Sequence, residues 1–179
     1  MKIINIFGGP GIGKSTYAAE LFSVMKKFGY NVELVIEYAK ECIYEKQFQL
    51  LNNDQLFVLA NQNRRLQRII ESNENIDYII TDSPLLLSVI FAEQHNYKHN
   101  YISFQNFCID LFASYENINL VLNRISLAKY NSNGRIEDEN EALTLDDKIL
   151  KTLKKWKFDF EIINDRNITP EFVSNILKS

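Results

Sequence analysis

The chain has 179 residues, 46% hydrophobic and 24% charged, with a formal net charge of −3. That suits one globular, water-soluble domain with a real core and is too short for two. The slight negative balance argues against a broad nucleic-acid footprint while leaving room for a local basic groove; no apolar run reaches membrane-spanning length, and Cys42 and Cys108, far apart with no CxxC and no repeated spacing, argue against a disulfide framework or a cysteine zinc site.

In chain order, Lys2 to Phe7 is a short, nearly continuous apolar run, as a buried parallel strand should be. The stretch Lys14 to Phe28 carries Ala18, Leu21, Phe22 and Met25 at helical spacing, and Gly29 is a good stop. Asn31 to Ile36 predicts a second strand, Asn52 to Glu71 a long helix, and Asp77 to Thr81 a third strand, with Pro84 at the start of the next segment. Tyr101 to Tyr115 predicts a helix, Asn119 to Asn123 a fourth strand, Glu141 to Trp156 a helix and Phe158 to Ile163 a fifth strand. Thr169-Pro170 opens a last short helix. Strands alternating with helices predict a three-layer α/β fold with a parallel sheet, in a single domain spanning residues 1–179. Residues 124–141 differ: they are polar, contain Gly134 and an acidic run, and predict a mobile lid. The first strand runs straight into a glycine turn. That leaves no room for a leader, so the expected compartment is the cytoplasm.

The stretch "GGPGIGKST" carries the most specific signal. Gly8, Gly13, Lys14 and Ser15 fit G-x-x-x-x-G-K-[ST] between a strand and a helix, the context that confirms a P-loop. Successive backbone N–H groups from Gly8, Gly9, Pro10, Gly11, Ile12, Gly13, Lys14, Ser15 and Thr16 (Pro10 lacking one) would form an anion nest, with the helix's positive end behind it. Lys14 would bridge terminal phosphates and Ser15 would ligate Mg²⁺, so the expected cofactors are ATP and Mg²⁺. No N-K-x-D base-recognition motif of a guanine-nucleotide switch is present.

Ligands of open parallel sheets bind at the carboxyl ends of strands, and acids stand there. Asp82 follows the third strand; it would hold Mg²⁺ or accept the substrate proton, or else cap a helix in "DSP". Glu37 ends the second strand in "VIEYAKE" and would orient or deprotonate a hydroxyl, with Glu41 one turn on as a second candidate; a solvated helix start explains either equally simply. In the long helix, Asn61, Arg64, Arg65 and Arg68 share one face, suited to phosphate or acceptor binding or merely to solvent. Gln62 lies on the apolar face and needs partners, either a base-like ring or a core hydrogen bond. In the lid, Arg124, Lys129 and Arg135 surround Gly134; Arg124 and Arg135 are the candidates for stabilising charge in phosphoryl transfer. His95 and His99 have helical metal-pair spacing but no third ligand in view.

Together these residues resemble the P-loop kinases of the nucleoside and nucleotide class, from the first strand to the fifth. "IEYAKE", "QNRR", "YIITDSPLLLS" and "YNSNGRIEDENEALTLDDKI" are similar to small kinase-like proteins often encoded by bacteriophages. Deoxynucleoside kinases, ribosylnicotinamide kinases and the kinases of 5-hydroxymethyluracil in DNA are relatives. The resemblance implies a five-stranded sheet in order 2-3-1-4-5. It also implies transfer of the γ-phosphate to a hydroxyl of a nucleoside- or nucleotide-like acceptor, which could be a modified base in DNA. Catalysis would use Lys14, Glu37, Asp82, Arg124 and Arg135. Glu37, Gln62 and Arg65 would hold the acceptor, and Ser15 and Asp82 the metal. A monomer or homodimer in the cytoplasm of a phage-infected host is the matching expectation, and a non-kinase P-loop ATPase is the rival. The sequence departs from deoxynucleoside kinases in that proline follows Asp82-Ser83 and no arginine follows Asp82.

Overall fold

The computed structural model describes residues 1–72, 74–94, 97, 100–124 and 139–178. Its sheet is built from β1 (Lys2–Phe7), β2 (Val32–Val35), β3 (Tyr78–Thr81), β4 (Glu116–Leu122) and β5 (Glu161–Ile163). All pairings are parallel and the order is β2-β3-β1-β4-β5. In the central register Ile4 lies between Ile80 and Ile118. Side chains alternate across a strand, so β1 feeds two cores. Ile3 and Phe7 join one apolar cluster; Ile4 and Ile6 join the other.

The first cluster is covered by α4 (Gln55–Ile70), α5 (Leu87–Gln94), α6 (Tyr101–Ala113) and α7 (Glu139–Lys155). The second is covered by α1 (Lys14–Lys27) and α8 (Pro170–Ile176), through Tyr17, Ala18, Leu21, Met25, Val173 and Ile176. Helices on both faces of a parallel sheet make the three layers. Buried Asn5 sits in the middle strand and donates to Asn117 and Asn119 of β4 (2.8 and 3.0 Å), so these asparagines inside the sheet are satisfied across the strand pair.

The elements depart from the sequence reading in identifiable ways. Two short helices, α2 (Ala39–Tyr44) and α3 (Phe48–Asn53), lie between β2 and α4, ahead of the helix expected from Asn52. That expected helix is broken at Asp54, which leaves helical geometry (φ −132°) so that its carboxylate accepts the Phe57 N–H at 3.0 Å. This is N-capping, and it fixes the start of α4. Strand β4 begins at Glu116 rather than Asn119, because Lys2 pairs with Glu116 from the first residue of β1. Strand β5 is short; Phe158 and Phe160 pack against the first cluster. Of the expected lid, residues 125–138 lie outside the described residues, and with them Lys129 and Arg135; so do His95 and His99.

Candidate active site

The sheet order sets the geometry. Strand β3 lies beside β1, so Asp82 leaves the sheet next to the turn after Phe7, and β2 brings Glu37 to the same rim. In the turn, Gly13 adopts a left-handed conformation (φ 96°) as N-cap of α1, where a side chain would be strained. Gly9 is needed for space: a Cβ there would come within 2.6 Å of the Ala142 carbonyl and 2.7 Å of the Asp146 carboxylate.

Lys14 folds back and donates to the Gly9 carbonyl at 3.2 Å. The residue as a whole is only partly buried, but protein atoms crowd its ammonium. Burial pushes its pKa below the ordinary lysine value, against the opposing pull of Glu37, Asp82 and Asp146.

Asp82 is 1% exposed, and neither carboxylate oxygen accepts a hydrogen bond. It does not cap a helix; the N–H of Ser83 goes instead to the Thr81 hydroxyl at 3.1 Å. What faces it is Lys40, whose Nζ lies 3.6 Å from Asp82 Oδ2 and 4.0 Å from Glu37 Oε2 while donating to the Ser15 hydroxyl. An orphaned buried carboxylate and a hydroxyl, already bridged by a cation, form a donor set that fits Mg²⁺. The ion keeps waters and phosphate oxygens and takes one or two protein oxygens. Among the described residues no group of three or more His, Cys, Asp or Glu could hold a metal unaided. A metal at Ser15 and Asp82 would therefore take its remaining ligands from water or from the nucleotide's own oxygens.

Gln62 is 3% exposed, and its side chain adopts the core hydrogen-bonding alternative. Its carbonyl oxygen accepts the Tyr38 N–H at 2.8 Å, and its amide faces the Ile36 carbonyl and the Thr81 hydroxyl, each at 3.4 Å. It thereby holds the segment carrying Glu37 against β3. Arg65 stacks over the Tyr38 ring (5.3 Å to the centroid) and pairs with Glu41 at 2.5 Å. Arg64 pairs with Glu71 on the solvent face.

Arg124, just beyond β4, reaches the other side of the turn. Its Nε donates to Asp146 Oδ2 at 2.7 Å and its Nη2 to the Pro10 carbonyl at 3.1 Å. Asp146 Oδ1 accepts the Gly9 N–H at 2.6 Å. Beside this clamp is a cavity of about 250 Å³ bounded by Gly11, Gly13, Thr16, Tyr17, Arg124 and Arg166. Arg166 donates to the Asn123 carbonyl at 2.6 Å and lies 5.9 Å from the Tyr17 ring centroid, with burial lowering its pKa.

Lys40, Asp146 and Arg166 are not among the residues that the sequence singles out. Arg166 lies just beyond β5, so the strand-end rule that selects Glu37 and Asp82 also points to it. Asp146 and Lys40 sit inside "TLDD" and "EYAKE", where nothing in the spacing marks them.

A parallel sheet in this order, with this turn at the end of its first strand, defines a P-loop fold. The model of a family described as an AAA domain matches residues 3–169, and the chain belongs to that family. Among solved structures, the NadR protein in complex with NR superimposes with a TM-score of 0.71 at 18% identity, covering 98% of this chain and 49% of that one. NadR in complex with NAD and AMP-PNP gives 0.68 at 17%, covering 98% and 47%. Deoxyadenosine kinase from M. mycoides with products dCMP and dCDP gives 0.58 at 24%, covering 99% of each chain. This chain thus spans about half the length of the NadR chains and nearly the whole of the deoxyadenosine kinase. No curated protein matches significantly. Among the described residues, no helix is long and apolar enough to cross a membrane.

Proposed function

We propose that the protein is an ATP- and Mg²⁺-dependent phosphotransferase acting on a hydroxyl of a nucleoside- or nucleotide-like acceptor. The observation that carries this reading is the buried, hydrogen-bond-free Asp82 beside Ser15 and Lys14, with Glu37 across the same crevice. A loop that only held a nucleotide would not need a second carboxylate on the acceptor side. The neighbours support the acceptor class: two NadR structures hold NR or NAD with AMP-PNP, and the third is a deoxyadenosine kinase.

The nest of the Gly8–Thr16 loop and Lys14 would hold the triphosphate, and the cavity between Tyr17 and Arg166 would take the donor base. Ser15 and Asp82 would hold Mg²⁺, which screens phosphate charge when bound. Glu37 is the better base. Its side chain is 25% exposed, whereas that of Asp82 is sealed at 1%. The acceptor proton goes to the Glu37 carboxylate as the acceptor oxygen bonds to the γ-phosphorus and the bridging bond to ADP breaks. Arg124 stands at the loop, and Arg135 is proposed beside it in stabilising the developing charge. Gln62 would act by positioning the Glu37 segment, and Arg65 beside Tyr38 by meeting the acceptor.

The rival reading is an ATPase without an acceptor, and the description of the family as an AAA domain favours it. One experiment separates them. Transfer from γ-labelled ATP is measured to nucleosides, nucleoside monophosphates, ribosylnicotinamide, and DNA with and without 5-hydroxymethyluracil. Lys14→Ala and Asp82→Asn serve as controls. Label on one acceptor, lost at least about 100-fold in both variants, is the expected result. Label released only as phosphate, whatever is added, would establish the ATPase.

A further inference from the structure

We infer that Lys40 is a tethered counter-cation that occupies the metal position of the nucleotide-free protein and is exchanged for the divalent ion when the nucleotide brings it. The inference rests on the proposal that Ser15 and Asp82 are the metal's protein ligands.

Three distances carry it. The Lys40 ammonium touches the Ser15 hydroxyl, lies 3.6 Å from Asp82 Oδ2 and 4.0 Å from Glu37 Oε2. The Ser15 and Asp82 oxygens are the ones a divalent cation would use, and Glu37 adds negative charge beside them. Asp82 is 1% exposed with both oxygens outside any hydrogen bond, so its charge is costly unless a cation stands against it. Lys14 also feels the charge of Asp82 but donates to Gly9, and the ion pair that Asp82 makes is with Lys40. Lys40 therefore neutralises a carboxylate that the fold has already desolvated.

An ammonium and a divalent ion cannot share one set of oxygens, because like charges a few ångströms apart repel strongly at the edge of a protein. The metal must displace Lys40. The side chain is free to yield: it is 39% exposed and attached to the first turn of α2, by a flexible four-carbon stem. The consequence is an order of events. Without nucleotide the protein does not collect Mg²⁺, because its own cation competes. With nucleotide, the phosphate oxygens supply the ligands and the charge that tip the exchange.

The test is Mn²⁺ binding to nucleotide-free protein, read from the electron paramagnetic resonance of the free ion, with the thermal midpoint in EDTA measured alongside. The readout needs neither donor turnover nor an acceptor, so a failure of phosphoryl transfer would leave it unaffected. Lys40→Met is expected to bind Mn²⁺ at least about tenfold more tightly than wild type, and to melt lower in EDTA, with Mn²⁺ restoring the midpoint. Lys40→Arg keeps the charge and should stay within about threefold of wild type. The double variant Lys40→Met/Asp82→Asn should lose the gain. Equal Mn²⁺ affinity in wild type and Lys40→Met overturns the inference, as does a gain that survives Asp82→Asn. If Lys40→Met does not fold, Mn²⁺ binding to Lys40→Gln decides in the same way.

Discussion

Asp146 makes two bonds with one carboxylate, taking the N–H of Gly9 with one oxygen and the guanidinium of Arg124 with the other. It ties α7 and the end of β4 to the phosphate loop, and the glycine at position 9 is what lets α7 come so close. Both partners are about four-fifths buried, so neither bond is a surface pair exchanged freely with water. Asp146→Ala removes both bonds and leaves a partly buried Arg124 without its acid. Hydrogen bonds to a charged group contribute about 1.5–3 kcal/mol, and the loss should fall in that range in urea unfolding of the ligand-free protein. It should also raise the Km for ATP more than it lowers kcat, because the loop is held before the nucleotide arrives. A variant as stable as wild type would mean that the loop holds its shape without this clamp.

At the scale of elements, helix α4 matters more than its sequence suggests, because it carries both Gln62 and Arg65 to the Glu37 segment. Its start depends on Asp54, so Asp54→Ala should cost about 1 kcal/mol of stability, measured by thermal unfolding. The strands were legible because a buried parallel strand needs a largely apolar run bounded by turn or polar residues. Helix α5 was not legible: Leu87 to Gln94 is buried nearly all round, so its apolar residues follow no period. Helices α2 and α3 have six residues each, too short to show a face. The same reason divides the site. The phosphate loop, Glu37 and Asp82 could be placed from local sequence because a strand end fixes them. The partners of Gln62 and the contacts of Lys40 depend on how the segment after β2 folds over the loop, which is a tertiary fact.

Across the whole molecule, two apolar clusters hold the sheet from either side, and the strand ends gather charge on one rim. The ligand-free protein therefore carries a cost where its ligand is to bind, and pH can reveal it. The folded pKa of Lys14 is lowered by burial, so between that value and the ordinary lysine value the unfolded chain binds the extra proton. Stability contributed by this group rises with pH across the interval. Tyr17 and Cys108 act in the opposite sense. Burial raises both, Cys108 to about 12, so over the interval between their ordinary and raised values the folded chain keeps the proton and stability rises relative to neutral pH only where the unfolded chain binds more protons, which here it does not; their contribution falls with pH. Wild type alone would show only the sum. The difference between wild type and Lys14→Met isolates the lysine, since the other groups are common to both. Without ligand, Lys14→Met should unfold at higher urea than wild type at pH 7, and the gap should narrow as pH rises toward the ordinary lysine value. With ATP at about a hundred times its dissociation constant, wild type should gain about 2.7 kcal/mol and the variant nothing, reversing the order. A ligand-free Lys14→Met protein less stable than wild type at pH 7 would mean that the pull of Glu37, Asp82 and Asp146 outweighs burial and that the loop is not poised at a cost.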